Sequence, residues 1–166
     1  MNEPIAAKTE PTQRAWVEVD QCAIESNARI LKGLLAKNCL LMAVVKADGY
    51  GHGAQNVSIA ALKGGADALG VATLQEGIDL RQAGLDSPIL ILGNLINAEE
   101  FAACLHWKLM PTLCSLREVL ICQKLAEENI LPFGVHLKID TGMTRLGCDV
   151  DQVVSLVSVI SESKNL

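Results

Sequence analysis

Residues Trp16-Val-Glu-Val-Asp20 alternate apolar and polar side chains, the period of a short half-buried strand. Asp20 is then placed as a helix N-cap, because Ile24, Ala28, Leu31 and Leu35 recur at spacings of 4, 3 and 4 and so share one helical face. After Asn38 the run Leu40 to Val45 is continuously apolar and rich in β-branched residues, which predicts a buried strand ending at Lys46. From there the chain repeats itself. Apolar strands begin near Met42, Leu69, Ile89, Met110 and Val135, at intervals of 27, 20, 21 and 25 residues. Helical periodicity fills the gaps at Gln55–Leu62, Leu74–Ala83, Ala98–Leu105 and Leu116–Glu128, and a further helix, Val150–Ser163, follows with Asp149 as its cap. Glycines at 64/65, 84 and 134 fall where these helices should stop.

Strand–helix alternation at this spacing implies an α/β fold of parallel strands joined by right-handed crossovers. Two closures satisfy the periodicity, an open doubly wound sheet and part of a (β/α)8 barrel. A whole eight-stranded barrel takes about 250 residues, and this chain has 166.

Composition narrows the class of partner. Fourteen Lys+Arg against 19 Asp+Glu leave a net charge of −5, and half the residues are hydrophobic. Such a chain can bury one sizeable core, and the acidic balance without a basic cluster excludes nucleic acid or an anionic membrane as the main partner. The longest apolar run, Cys39 to Val45, is far short of the roughly 18 residues that suggest a membrane span. Residues 1–14 read as a flexible tail without the apolar stretch of a signal peptide, so residues 15–166 form the structured part. Cysteines 22, 39, 104, 114, 122 and 148 show no C-x-x-C and read as small buried hydrophobes. Histidines 52, 106 and 136 have no zinc-ligand spacing, and no metal is expected.

Chemistry in parallel α/β folds sits at the carboxyl ends of the strands, and two ends stand out. The first is Ala43-Val-Val-Lys46-Ala-Asp-Gly-Tyr50-Gly-His52-Gly. Desolvation at the end of an apolar strand favours the neutral, nucleophilic amine that Schiff-base chemistry with an aldehyde cofactor requires. Gly49, Gly51 and Gly53 alternate with Tyr50 and His52, and the same residues also fit a solvated lysine followed by a flexible loop. Neither a G-x-G-x-x-G nor a Walker motif occurs. The second end is Gly134-Val-His136-Leu-Lys138-Ile-Asp140-Thr-Gly-Met143-Thr-Arg145-Leu-Gly. A period of two puts Val135, Leu137 and Ile139 on one face and His136, Lys138 and Asp140 on the other. Three titratable groups in a row serve a site or pair with one another, and Arg145 beyond the turn can bind a carboxylate or phenolate. The alternative is a structural ion-pair row on an edge strand. Asp149-Val-Asp151, Asn97-Ala-Glu-Glu100, Thr73 and Asn94 read as helix-capping or first-turn positions, and Trp107 and Met110 as core.

These two segments resemble the signatures of the alanine racemase family, pyridoxal-phosphate enzymes of the fold-type III barrel class, and Trp16-Val-Glu-Val-Asp20 through Asn27 resembles that family's opening strand and helix. The likeness runs from about residue 15 to the end. It implies a partial (β/α)8 TIM-type barrel of about five parallel strands with helices, without the later strands and the C-terminal β domain. The activity implied is the interconversion of L- and D-alanine in the cytoplasm, supplying D-alanine for peptidoglycan, with pyridoxal 5'-phosphate as cofactor and a homodimer for the full-length family. By the same resemblance Lys46 holds the cofactor and is the base on the D-alanine face. Tyr50 bonds the phosphate, and Arg145 lies between the cofactor's phenolic oxygen and the substrate carboxylate. Lys138 matches a lysine that is often carbamylated and orients this arginine, Met143 lies near the substrate, and His136 and Asp140 support the second signature. The family's opposite-face base is a tyrosine of the β domain, whereas the one tyrosine here is Tyr50. The chain therefore reads as an N-terminal fragment short of a second base, and its opening strand loses its usual neighbours. A non-catalytic cofactor-binding barrel of the pyridoxal-phosphate homeostasis type, and a half-barrel that associates with a copy of itself or with a separate second half, are the alternatives.

Overall fold

The computed structural model describes residues 15–166; the tail assigned to residues 1–14 lies outside them. Asp20 caps the first helix, α1 (Gln21–Leu34), its carboxylate accepting from Cys22 N and Ala23 N. Five strands follow: β1 (Met42–Val44), β2 (Ala68–Val71), β3 (Ile89–Ile91), β4 (Met110–Leu113) and β5 (His136–Leu137). A short segment α2 (Lys46–Gly51) and the helices α3 (Ala54–Lys63), α4 (Leu74–Gln82), α5 (Ala98–His106), α6 (Leu116–Asn129) and α7 (Val153–Glu162) complete the chain, with a 3-10 turn at Val150–Gln152 before α7.

The sheet order is β1-β2-β3-β4-β5, every neighbouring pair parallel. This order decides between the two closures. A doubly wound sheet reverses direction at a switch point, whereas strands added always on the same side by right-handed crossovers put all their helices on one face, as in a barrel wall. The main core lies between that outer face and the helices. Leu69, Val71, Ile89, Ile91 and Leu113 point into it and meet Leu80, Phe101, Cys104, Val119 and Cys122. The register Leu69↔Ile89 and Val71↔Ile91 keeps the large side chains level. The opposite face carries Gly70, whose neighbours include Met42, Val44 and Leu92.

Several expectations change. Trp16–Asp20 is not a strand: no ladder includes it, and Trp16 and Val17 are exposed. An extended segment needs a neighbouring strand to take its backbone groups, and here Trp16 Nε1 instead donates to Glu18 at 2.7 Å. The Leu40–Val45 run forms an edge strand with only β2 beside it; Val45 is buried in the outer core, Val44 points to the inner face and stays 41% exposed, and Leu40 is outside the ladder. Gly134 does not stop α6; Ile130 closes that helix in the left-handed conformation. Asp149 makes no side-chain cap bond, and the first turn it introduces is 3-10. The α5 cap is Asn97 rather than Asn94. Cys22 and Cys39 are exposed, so the reading of the cysteines as buried hydrophobes holds for Cys104, Cys122 and Cys148, with Cys114 half-buried. No described helix is long and apolar enough to cross a membrane.

Two polar devices tie the wall together. Asp67 accepts from Lys32 Nζ and Leu41 N, both at 2.6 Å, pinning α1 to the start of β1 and β2, and the lysine bond chiefly holds its carboxyl below the usual range. At the same amino-terminal end of the strands Arg81 donates to the carbonyls of Trp107, Leu85, Ser87 and Lys108 at 2.6–3.0 Å, so one guanidinium closes the turns before β3 and β4. A planar fork can span four such acceptors; a single ammonium cannot. Arg81→Lys is therefore expected to lower unfolding stability by about 1–3 kcal/mol, read as a shifted urea midpoint. The surface change Arg29→Ala, which breaks only the i,i+4 pair with Glu25, should shift it by less than about 0.5 kcal/mol.

Candidate active site

Lys46 follows β1 directly, and the next four residues fold in an unexpected way. Ala47, Asp48, Gly49 and Tyr50 all have φ between 51° and 61° and ψ between 36° and 53°, a left-handed helical turn. For residues other than glycine this conformation costs about 1–2 kcal/mol each, so what was legible as a flexible glycine loop is instead an ordered, strained turn. Its hydrogen bonds show what holds it. Gly49 N donates to Val45 O at 2.9 Å and Gly53 N to Asp48 O at 2.9 Å. The Asp48 carboxylate accepts from Ala54 N at 2.7 Å, where α3 begins, and His52 Nδ1 lies 3.0 Å from Gly49 O. Gly49 is buried against Val57, and an added Cβ would press on that side chain at 3.1 Å.

By register, Met42 and Val44 lie on the inner face of the sheet with Ala68 and Gly70, and the alternation carries Lys46 and Ala72 onto the same side. Lys46 is half-buried. It lines a cleft of about 240 Å³ together with Ala72, Leu92, Gly93, Arg145 and Leu146. Gly93 is required there: it donates to Ala72 O at 3.1 Å, and a Cβ on it would collide with that oxygen. The strand ends therefore offer a floor of small residues beside the amine, open enough for a flat ring.

The second predicted end also lies on the inner face. Thr112↔His136 and Leu113↔Leu137 pair, and Lys138 N continues the ladder to Leu113 O at 2.8 Å. Val135 and Leu137 pack on the core, as the alternation predicts, but Ile139 is 38% exposed and so not part of it. His136 is exposed and Lys138 half-buried. No ion pair joins His136, Lys138 and Asp140, which argues against the structural ion-pair row among the described residues. Asp140 organises the loop that carries the arginine. Its Oδ1 accepts from Gly142 N and Thr144 N, both at 2.9 Å. The loop is closed by Asp140 N to Cys148 O and Cys148 N to Lys138 O at 3.0 and 2.9 Å, and Gly147 has no room for a Cβ against Asp140.

The fold thus brings Lys46 and Arg145 to one cleft. Tyr50 and Met143, 60% and 77% exposed, are outside its lining. Two features escaped the sequence. Ala72, Leu92, Gly93 and Leu146 carry no chemical signal. Glu76 has a visible cap spacing, Thr73-x-x-Glu76, confirmed as a capping box, but its bond to Ala47 N spans 29 residues.

A singly wound parallel sheet that carries an amine at the mouth of its first strand and a guanidinium on the loop after its fifth defines the first part of a lysine-bearing α/β-barrel enzyme domain. The family described as alanine racemase, N-terminal domain, matches residues 19–166, and the chain belongs to that family. It is 58% identical over 159 residues to an alanine racemase of Prochlorococcus marinus, covering 96% of this chain and 41% of that protein. It is 48% identical over 158 residues to one of Synechocystis, covering 93% and 41%. The solved alanine racemase of Clostridium difficile superimposes with a TM-score of 0.78 at 34% identity, covering 89% of this chain and 38% of that one. The chain spans about two-fifths of the length of the curated relatives it matches.

The loop has a definite pH signature. The backbone N–H groups of Thr144 and Gly142 hold the Asp140 carboxyl below its ordinary value of 3.8. A carboxyl depressed by folding stabilises the fold at pH above 3.8 and loses that contribution as pH falls through the lower, folded value. Asp140→Asn keeps an acceptor oxygen but removes the charge. The stability difference between the native chain and this variant, from urea midpoints, should be constant above about pH 5 and shrink as the solution is made more acidic.

Proposed function

We propose that this chain is the cofactor-holding part of an alanine racemase that interconverts L- and D-alanine with pyridoxal 5'-phosphate. The observation that carries the reading is the shared cleft of Lys46 and Arg145 beside the small-residue floor of Ala72 and Gly93. Those residues fit the cofactor: an amine for its aldehyde, room for its ring, and a cation for its phenolic oxygen. Pyridoxal phosphate, when bound, supplies an electron sink for the charge left on an amino acid's α-carbon.

The chain's own groups divide the remaining work. Lys46 Nζ binds the cofactor and takes or returns the α-proton from its side of the cleft. The planar guanidinium of Arg145 can hold a carboxylate through two parallel bonds. The left-handed turn carries Tyr50 beyond Lys46, and we assign its hydroxyl to the phosphate. Met143 would approach the substrate. Lys138, once carbamylated, would orient Arg145 from the strand before it, and Asp140 shapes the loop between them. The chain's one tyrosine has a phosphate role, so a tyrosine acting on the opposite face of the α-carbon comes from outside these residues, as a dimer partner's β domain would provide. All six cysteines are free, which suits a reducing cytoplasm, and D-alanine made there would feed peptidoglycan.

Two measurements test this. Borohydride treatment of the chain with pyridoxal phosphate should label one peptide, that of Lys46, and Lys46→Ala should abolish the label. With cofactor and D-alanine in deuterated water, deuterium should enter D-alanine faster than L-alanine appears. Labelling of a different lysine would refute the assignment, and rapid formation of L-alanine would reveal a second base among these residues.

A further inference from the structure

Glu76 is the third residue of α4 and begins as a local device. Its Oε2 accepts from Ala72 N at 2.7 Å and Thr73 N at 3.0 Å, completing the capping box. The same spacing recurs in the next two helices. Glu100 Oε2 accepts from Ile96 N and Asn97 N, and Glu118 Oε2 from Cys114 N. Among the described residues those two carboxylates bond only to backbone at the start of their own helix. Glu76 differs. Its Oε1 accepts from Ala47 N at 2.6 Å, across to the turn after Lys46.

That bond acts at a sensitive point. The N–H of Ala47 belongs to the planar peptide whose carbonyl is that of Lys46, so fixing it fixes the backbone plane on which the lysine side chain is mounted. It is also the first N–H of the left-handed turn, in which Ala47, Asp48 and Tyr50 hold a conformation that is uphill for each of them. A short bond to an ionised acceptor is among the stronger ones a backbone group can make. Asp48 secures the exit of the turn through Ala54 N, and Glu76 its entrance through Ala47 N.

We infer that Glu76 is a positioning residue for Lys46: one carboxylate caps α4 and, through Ala47 N, holds the left-handed turn that aims the cofactor amine into the cleft. This rests on the assignment of Lys46 to the cofactor, and the test separates the two. Glu76→Gln has one acceptor oxygen and presents an N–H where the other stood, so it can serve the cap or the turn but not both. Glu100→Gln is the control for a lost capping charge alone.

In the full 166-residue chain without cofactor, amide hydrogen exchange over Ala47–Gly51 should speed up by about tenfold or more in Glu76→Gln, the effect of losing a bond to a charged group. Exchange in β3 and β4 should be unchanged, and Glu100→Gln should leave the turn as it was. With pyridoxal phosphate added, the concentration that half-saturates labelling of Lys46 should rise in Glu76→Gln and not in Glu100→Gln. If Glu76→Gln unfolds the chain, seen as faster exchange everywhere, Glu76→Asp takes its place. Its shorter arm keeps the charge but cannot span both partners, and the same local exchange is expected. Turn exchange equal in the Glu76 and Glu100 variants would overturn the inference. Failure of the native chain to label at Lys46, with the exchange difference intact, would overturn the cofactor assignment and leave the role of Glu76 standing.

Discussion

A left-handed turn directly after a strand is the constraint around which this site is arranged. L-residues avoid that region because Cβ crowds the following carbonyl, and three of the four residues in the turn carry a Cβ. The strain persists because the turn is bonded at both ends and its one glycine is buried against α3. In exchange, the chain leaves β1 at Val44 and enters α3 at Ala54 while the lysine keeps its place at the strand mouth.

The same solution appears on both sides of the cleft. Glu76 and Asp48 hold the turn after Lys46, and Asp140 holds the loop before Arg145, each by accepting backbone N–H groups with a carboxylate. None of the three needs to touch a ligand to matter. Carboxylates suit the task, since each can satisfy several N–H donors that would otherwise face a half-buried site unpaired. Arg81 does the converse at the other end of the strands, collecting carbonyl oxygens with a cation. The barrel wall is thus held by apolar packing in its middle and by charges on backbone groups at its two rims.

Alternation and spacing were enough to locate the five strands and the helices between them, because each element buries one face and burial imposes its period on the residues. They also marked Lys46 and the His136–Arg145 segment, since charged groups at the ends of apolar strands are conspicuous. Trp16–Asp20 shows the limit of that logic: its alternation is strand-like, yet a strand is a relation between two segments. Gly134 and Ile130 show another, as the helix end went to a β-branched residue that the local sequence disfavours.

What the amino-acid sequence determined unaided was the period, order and type of the elements and the chemical identity of the amine and guanidinium, because these depend on neighbours within a few residues. Tertiary structure alone decided that the sheet is singly wound, that Lys46 and Arg145 open onto one cleft, and that Glu76 reaches Ala47. Those are contacts between segments tens of residues apart, and only the packing of strands side by side brings such segments within hydrogen-bond range.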